Sequence, residues 1–342
     1  MRALGLMLAV LLLLAGLAGG VAWYGRTVME RPLPLPADGA TYALAEGTSL
    51  TALGRDLARR GWLPDGRLLV AWARWARPGP PVRAGEYFLP AGTSAADLLD
   101  ILRAGRTIQH RVTLVEGSTV AQVVAQLRRL TEQGLLQATL DYDHWRPALR
   151  ELLGEERVEG WLFPDTYYVT RGMRDRDLLR QAHRRMRRVL AEAWATRTPG
   201  LPLETPYQAL ILASIVEKET ADPAERARIA GVFVQRLRKG MRLQTDPTVI
   251  YGLGEAFDGN LRRADLRRDT PYNTYTRAGL PPTPIALPGL AALLAATHPD
   301  ETGDLYFVAT EAGGRHHFSR TYREHAAAVR KYQRRRARHA AQ

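Results

Sequence analysis

Two glutamates two positions apart, Glu217 and Glu219, carry the strongest chemical signal in this chain. They close a helix that Thr205-Pro206-Tyr207-Gln208 opens: threonine is a preferred N-cap, proline suits the first helical position, and glutamine three residues on completes a capping box. The helix is predicted over Tyr207 to Thr220. Leu212, Ile215 and Val216 form an apolar stripe at spacings of three and four, and the next position on it is Glu219. Glu217 is rotated to the far side, over Leu210, Ala213 and Ser214. A carboxyl group against apolar neighbours is desolvated, which raises its pKa, and the negative end of the helix dipole pushes the same way. A carboxylic acid still protonated near neutral pH is what cleavage of a glycosidic bond needs as general acid. A salt bridge from Glu219 to Arg226 or Arg228 of the next helix is the alternative, and periodicity does not separate the two.

Around this helix lie three loop segments that mix amides, hydroxyls and aromatic rings. Met241 to Gly252 contains Gln244, Thr245, Asp246 and Tyr251. Tyr272-Asn273-Thr274-Tyr275 leads into Gly279-Leu280-Pro281-Pro282. Upstream, Glu159 to Tyr168 reads EGWLFPDTYY. Sugars are bound by such mixtures, with hydrogen bonds to hydroxyls and rings against C–H faces. Each of these residues taken alone is equally a turn or core residue. Their density makes Gln244, Thr245, Asp246, Tyr251, Asn273, Tyr275, Glu159 and Tyr168 the candidate substrate-binding set. No His/Asp cluster has ligand spacing and there is no cysteine, so no metal or cofactor is expected, and disulfides, thiolate zinc sites and cysteine nucleophiles are excluded.

Other elements must position this chemistry. From Asp175 to Thr196 a long helix carries Leu178, Leu179, Ala182, Met186 and Val189 on one face. Asp222-Pro223, with Glu225 as a second capping box, opens another helix that ends near Gly240. The region from about Ala40 to Thr107 has an α/β pattern. Its two halves look alike: strand, Gly-Thr-Ser, then a helix with paired leucines, at Gly47-Thr48-Ser49 and again at Gly92-Thr93-Ser94. That arrangement is LysM-like, and a ββα packing module without a ligand fits it equally.

Residues Ala3 to Tyr24 carry no charge and end in Trp23-Tyr24. At about 1.5 Å per residue the run can cross a hydrocarbon core of about 30 Å, with the aromatic pair at its interface. It exceeds the roughly 7–15 residues of a signal-peptide core, and no clean small-x-small cleavage site follows it before Arg26, which favours an anchor over a cleaved signal. Met29 to Asp38 is proline-rich and reads as a stiff spacer. The 342-residue chain has a net charge of +13, from 48 Lys+Arg against 35 Asp+Glu. Such an excess suits nucleic acid, anionic lipid or an anionic wall polymer, although arginine is frequent throughout. A first helix followed by one large domain leaves that domain outside the cytoplasm, which argues against nucleic acid. The basic tail, Arg330-Lys331 and Arg334 to Arg338, reads as a solvated helix end or a contact with anionic lipid or polymer.

The segments EGWLFPDTYY, ASIVEKET (Ala213–Thr220), RLQTDPTVIYG (Arg242–Gly252), YNTY and GLPP resemble the endolytic murein transglycosylase family, also called YceG-like or MltG. The ending His317-Phe318-Ser319 with Glu324-His325 is similar as well, and the likeness spans essentially the whole chain. The resemblance implies a single-pass inner-membrane protein whose periplasmic domain cuts peptidoglycan glycan strands. It implies that the second glutamate of EKET, Glu219, is the catalytic residue. The expected architecture is α+β: a transmembrane anchor (1–25), a spacer (26–39), a LysM-like module (40–108), and a mainly helical, lysozyme-like catalytic domain with short strands (109–342). Expected partners are glycan strands, the inner membrane through residues 3–24, and peptidoglycan synthases. The competing reading is a non-catalytic, membrane-anchored wall-binding scaffold.

Overall fold

The computed structural model describes residues 2–310 and 315–339, the side chains of 2, 3 and 333–339 excepted, so the side chains of most of the basic tail lie outside what is described. Contacts divide the chain into two units. The first is Met1–His110 with two short segments, Gly134–Leu136 and Tyr168–Met173. The second holds the remainder.

The first unit begins with α1 (Arg2–Glu30), then β1 (Ala40–Leu44), α2 (Leu50–Arg59), α3 (Arg67–Ala71) continued by one π-turn (Trp72–Ala76), β2 (Gly85–Leu89) and α4 (Ala95–Ala104). Strands β1 and β2 pair antiparallel with Tyr42 opposite Tyr87, and both tyrosines are buried. The repeated Gly-Thr-Ser works as its spacing suggests. Ser49 accepts the Ala52 N–H at the start of α2, and Ser94 closes a full capping box with Asp97 on α4. In α1 the stretch Leu4–Glu30 is long and apolar enough to cross a membrane. The helix does not stop at Tyr24. It continues through Glu30, so residues 26–30 of the expected spacer are helical. Met29 and Leu33 then sit in the core of this unit, with 0% and 5% exposure. The prolines of this segment therefore follow a packed surface and do not form a free strut.

The second unit is built on helices. After α4 come, in chain order, β3 (His110–Thr113), α5 (Val120–Glu132), β4 (Leu136–Gln137), α6 (Trp145–Leu153), β5 (Thr166–Val169), β6 (Met173–Arg174), α7 (Asp175–Ala195), α8 (Pro206–Glu219), α9 (Arg226–Arg238), α10 (Asp246–Leu253), α11 (Arg263–Arg267), α12 (Leu290–Thr297), β7 (Tyr306–Ala309), β8 (His316–Ser319) and α13 (Tyr322–His339); His110 of β3, Leu136 of β4, Tyr168 and Val169 of β5 and Met173 of β6 belong to the first unit. The strands form two-stranded sheets, β1–β2, β3–β5, β4–β6 and β7–β8. Helix α8 is the axis. Every residue from Ala209 to Val216 is buried, because α7, α9, α10 and α12 all pack on it. A helix apolar on all sides can only be stable inside such a ring. Its polar end, Glu217-Lys218-Glu219, is where it leaves the core.

Close packing along α9 depends on Gly231, where a Cβ would meet the Asp300 carbonyl oxygen at 2.1 Å. Asp300 is fixed there by its N–H bond to the Ala227 carbonyl, 3.0 Å. Gly231→Ala is expected to destabilise the unit by about 1–3 kcal/mol, the usual penalty of overpacking. A denaturant midpoint lying on the wild-type value would show that α9 and the Asp300 turn separate freely.

Candidate active site

The two glutamates at the end of α8 have different partners. Glu217 accepts the Gly289 N–H at 2.9 Å and lies 3.3 Å from the Arg226 guanidinium. Arg228 pairs with Asp304 at 2.7 Å. Both arginines that could have neutralised Glu219 are thus committed elsewhere. Glu219 makes no ion pair among the described residues. Its one side-chain hydrogen-bond partner among them is the Thr245 hydroxyl, which donates to Oε1. Since α8 is buried on every side, the apolar stripe does not distinguish the two carboxylates; their partners do. Burial pushes the Glu219 carboxyl up from the ordinary carboxylate range, and the Asp246 charge adds to this. The Thr245 hydrogen bond opposes it, as do the charges of His316 and Arg236. Burial also raises Glu217, against the Gly289 hydrogen bond and Arg226.

Thr245 is held by a buried threonine lattice. Its N–H donates to Thr274 Oγ1 at 3.1 Å, and Thr248 Oγ1 donates to its carbonyl at 2.8 Å. Thr248 and Thr274 hydroxyls are 2.9 Å apart. Thr245 is the N-cap of α10, which puts Asp246 in the first turn, where the helix dipole favours a carboxylate. Asp246 accepts the Tyr275 hydroxyl at 2.6 Å. Gln244 has a φ of +51°, the only non-glycine residue in the left-handed region among the described residues. That conformation costs roughly 1–2 kcal/mol outside glycine and is sustained only where the surroundings fix it. Here the Gln244 N–H donates to the Thr274 carbonyl at 3.1 Å, and its side chain is left exposed. Glu219, Gln244, Thr245, Asp246 and Tyr275 therefore form one cluster.

Sequence reasoning missed the other side of that cluster. Arg236 is buried, and its guanidinium donates to the carbonyls of Leu305 at 2.7 Å and Leu243 at 2.6 Å. It also lies over the Tyr306 ring at 5.2 Å. No carboxylate is within ion-pair range of it among the described residues, and burial lowers its pKa. It ties α9 to the loop that carries Thr245. Glu225 was expected to cap α9 with Asp222. That helix instead begins at Arg226, and the Glu225 carboxylate holds His316 through both its N–H, 2.9 Å, and Nδ1, 2.8 Å. Nothing local marks Arg236 among its many arginine neighbours.

A second carboxylate, Glu159, lines an open cleft of about 1460 Å³ together with Tyr251, Tyr272, Thr283 and Lys218. Glu159 accepts the Val120 N–H at 2.9 Å and the Tyr251 hydroxyl at 3.0 Å. Burial pushes it up to about 7, against those two hydrogen bonds. The next residue explains its placement. Gly160 has a φ of +84°, and a Cβ there would lie 2.5 Å from Pro284, so only glycine lets this turn rest on the proline segment. That segment is fastened in turn to α8, where Ser214 Oγ accepts the Ile285 N–H at 3.0 Å. Lys218 and Pro247, chain neighbours of Glu219 and Asp246, belong to the cleft wall.

Two candidates do not join these clusters. The Asn273 side chain is spent on backbone: Nδ2 donates to the carbonyls of Asp265, Leu266 and Arg268, and Oδ1 accepts the Tyr275 N–H. It positions Tyr275 and has no free group for a ligand. Tyr168 is exposed on β5 and belongs to the first unit.

The model of the YceG-like family matches residues 42–331. The chain belongs to the YceG-like family. An endolytic murein transglycosylase of Bacillus subtilis is 30% identical over 92% of this chain and 90% of its own length. One from Streptococcus pneumoniae is 30% identical over 90% of this chain, which spans 61% of that longer protein. A solved YceG-like protein from Listeria monocytogenes, 26% identical, superposes with a TM-score of 0.52 over 86% of this chain and all of its own. Both carboxylate clusters fall inside the span matched by the family model.

Proposed function

We propose that the chain is a membrane-anchored lytic transglycosylase that cuts peptidoglycan glycan strands, with Glu219 as its acid and base. One observation carries the reading. In a family whose curated relatives bear the name endolytic murein transglycosylase, Glu219 is a raised-pKa carboxyl, partly exposed, without an ion pair among the described residues and held by one threonine hydroxyl.

Hydrolytic glycosidases normally use two carboxylates. Here one suffices, because the nucleophile belongs to the substrate. Protonated Glu219 gives its proton to the oxygen of the β-1,4 bond between N-acetylmuramic acid and N-acetylglucosamine, and the C1–O bond breaks. The muramyl C6 hydroxyl then attacks C1 while the glutamate carboxylate takes the hydroxyl proton, which restores the acid. The product is a 1,6-anhydro end, and no water is consumed. Gln244, Asp246 and Tyr275 would hold the muramyl ring, and the Glu159–Tyr251 cleft the strand. The first unit, in a LysM-like role, would contact glycan. Anchoring by α1 in the inner membrane, with the catalytic unit outside the cytoplasm, would restrict cutting to newly made strands beside their synthases and so end elongation. Mass analysis of peptidoglycan digested by the protein tests this: 1,6-anhydro ends are expected, reducing ends would make it a hydrolase, and no soluble product would leave a scaffold.

Thr245→Val removes the hydroxyl that steadies the ionised Glu219. The Glu219 pKa should climb further, so the alkaline limb of the rate profile moves to higher pH. kcat should fall about tenfold or more, the worth of one hydrogen bond to a charged group. Thr245→Ser should restore both. A pH profile unchanged in Thr245→Val would remove Thr245 from the mechanism.

A further inference from the structure

Between α2 and α3 of the first unit lies an open groove of about 980 Å³, lined by Arg55, Arg59, Arg67, Arg74 and Trp75, with Asp65 as the only carboxylate. Trp75 is 83% exposed, more than any other large hydrophobic residue described outside or inside α1. Arg59 and Arg67 reach Asp56 and Asp65, yet stay 77% and 94% exposed, so these surface pairs hold them weakly. Arg55 and Arg74 have no carboxylate partner among the described residues. A bare indole is unfavourable in water, and with exposed guanidinium groups beside it this surface suits an interface that is anionic outside and apolar beneath.

The fold puts this groove close to such an interface. Helix α1 touches both α3 and the π-turn that carries Trp75. Val28 and Met29 already pack in the core of this unit, only about 7 Å of helix rise beyond the Trp23-Tyr24 pair. Both of those aromatics are exposed. The π-turn at Trp72–Ala76 widens the helix where Trp75 projects. A glycan strand fits the lining less well, since no amide side chain and only one carboxylate are present to accept sugar hydroxyls.

We infer that the α2–α3 groove seats on the anionic headgroups of the bilayer that α1 crosses, with Arg55, Arg59, Arg67 and Arg74 binding phosphate and Trp75 entering the interface. This rests on the membrane-crossing reading of α1. The seat adds a second attachment to the first unit, so that the module lies down on the bilayer instead of swinging from a single helix.

The chain has no cysteine, so single-cysteine variants label uniquely. Full-length protein carrying Ala71→Cys, on the groove wall, is labelled with a fluorophore and placed in nanodiscs of neutral lipid with or without phosphatidylglycerol. Nitroxide-bearing lipids serve as quenchers. Leu13→Cys reports the anchor, and Glu192→Cys, at an exposed position of α7, sets the solvent baseline. The Ala71→Cys label should be quenched in anionic discs, and return toward baseline in neutral discs or when the four arginines are changed to glutamate. Each arginine removed singly should lower the seated fraction ratio about fivefold. Quenching at Leu13→Cys with none at Ala71→Cys in anionic discs would overturn the seat while leaving the anchor intact. No quenching at Leu13→Cys would remove the anchor and the seat together. Protection of the Ala71→Cys label by added glycan strands, and not by lipid, would make the groove a sugar site and overturn the proposal.

Discussion

Glu219→Gln is expected to lower the yield of 1,6-anhydro ends by about 10²–10⁴-fold, the range that positioned proton transfer contributes. The amide keeps the shape of the side chain and can still accept the Thr245 hydroxyl, so folding should be unaffected and the thermal midpoint should not fall. In the proposed mechanism one group serves both half-reactions. Losing it removes protonation of the leaving oxygen and deprotonation of the C6 hydroxyl together, so the loss should fall on kcat more than on KM. Glu217→Gln is the matching control. Its carboxylate faces Gly289 and Arg226, so the variant should retain most of the activity. Full activity in Glu219→Gln would dismiss the assignment, and loss confined to Glu217→Gln would move it two residues along the helix.

How far this contrast was legible in the sequence depends on range. Ser49, Ser94 and Thr119 cap α2, α4 and α5 as local chemistry dictates, and α7 and α8 end within a residue or two of where apolar spacing puts them. The hydrophobic stripe picked Glu219 but for an incomplete reason, since the opposite face of α8 is buried too. What separates the glutamates is a backbone N–H 72 positions downstream in the chain and an arginine on the next helix. Neither leaves a local mark. The same holds for Arg236, whose role depends on the carbonyls of Leu243 and Leu305, and for Met29 and Leu33, read as spacer from their prolines but packed in a core. Asn273 shows the converse: its residue type suits sugar recognition, yet it is 1% exposed and both of its side-chain polar atoms bond backbone groups.

Glu159 leads to the second large effect, on stability. Its pKa of about 7 lies above the ordinary value of 4.5, so the folded protein holds a proton here that the unfolded chain releases at lower pH. Stability linked to this group is therefore greatest below about pH 4.5 and falls as pH rises toward about 7. Above that the ionised carboxylate sits at 9% exposure with two hydrogen bonds and no cation in ion-pair range among the described residues. The raised pKa is worth about 3 kcal/mol, at about 1.4 kcal/mol per unit. Glu159→Gln removes the titration. Its carbonyl oxygen can keep the Val120 N–H, and its amide can donate to a Tyr251 hydroxyl turned to accept. The variant should thus match the wild type near pH 4.5 and exceed it by up to about 3 kcal/mol at pH 8, measured by chemical denaturation across that range. Parallel curves would mean that Glu159 titrates like an exposed carboxylate. In the proposed strand cleft this carboxylate would accept from sugar hydroxyls, so the stabilised Glu159→Gln protein should also bind glycan strands less tightly.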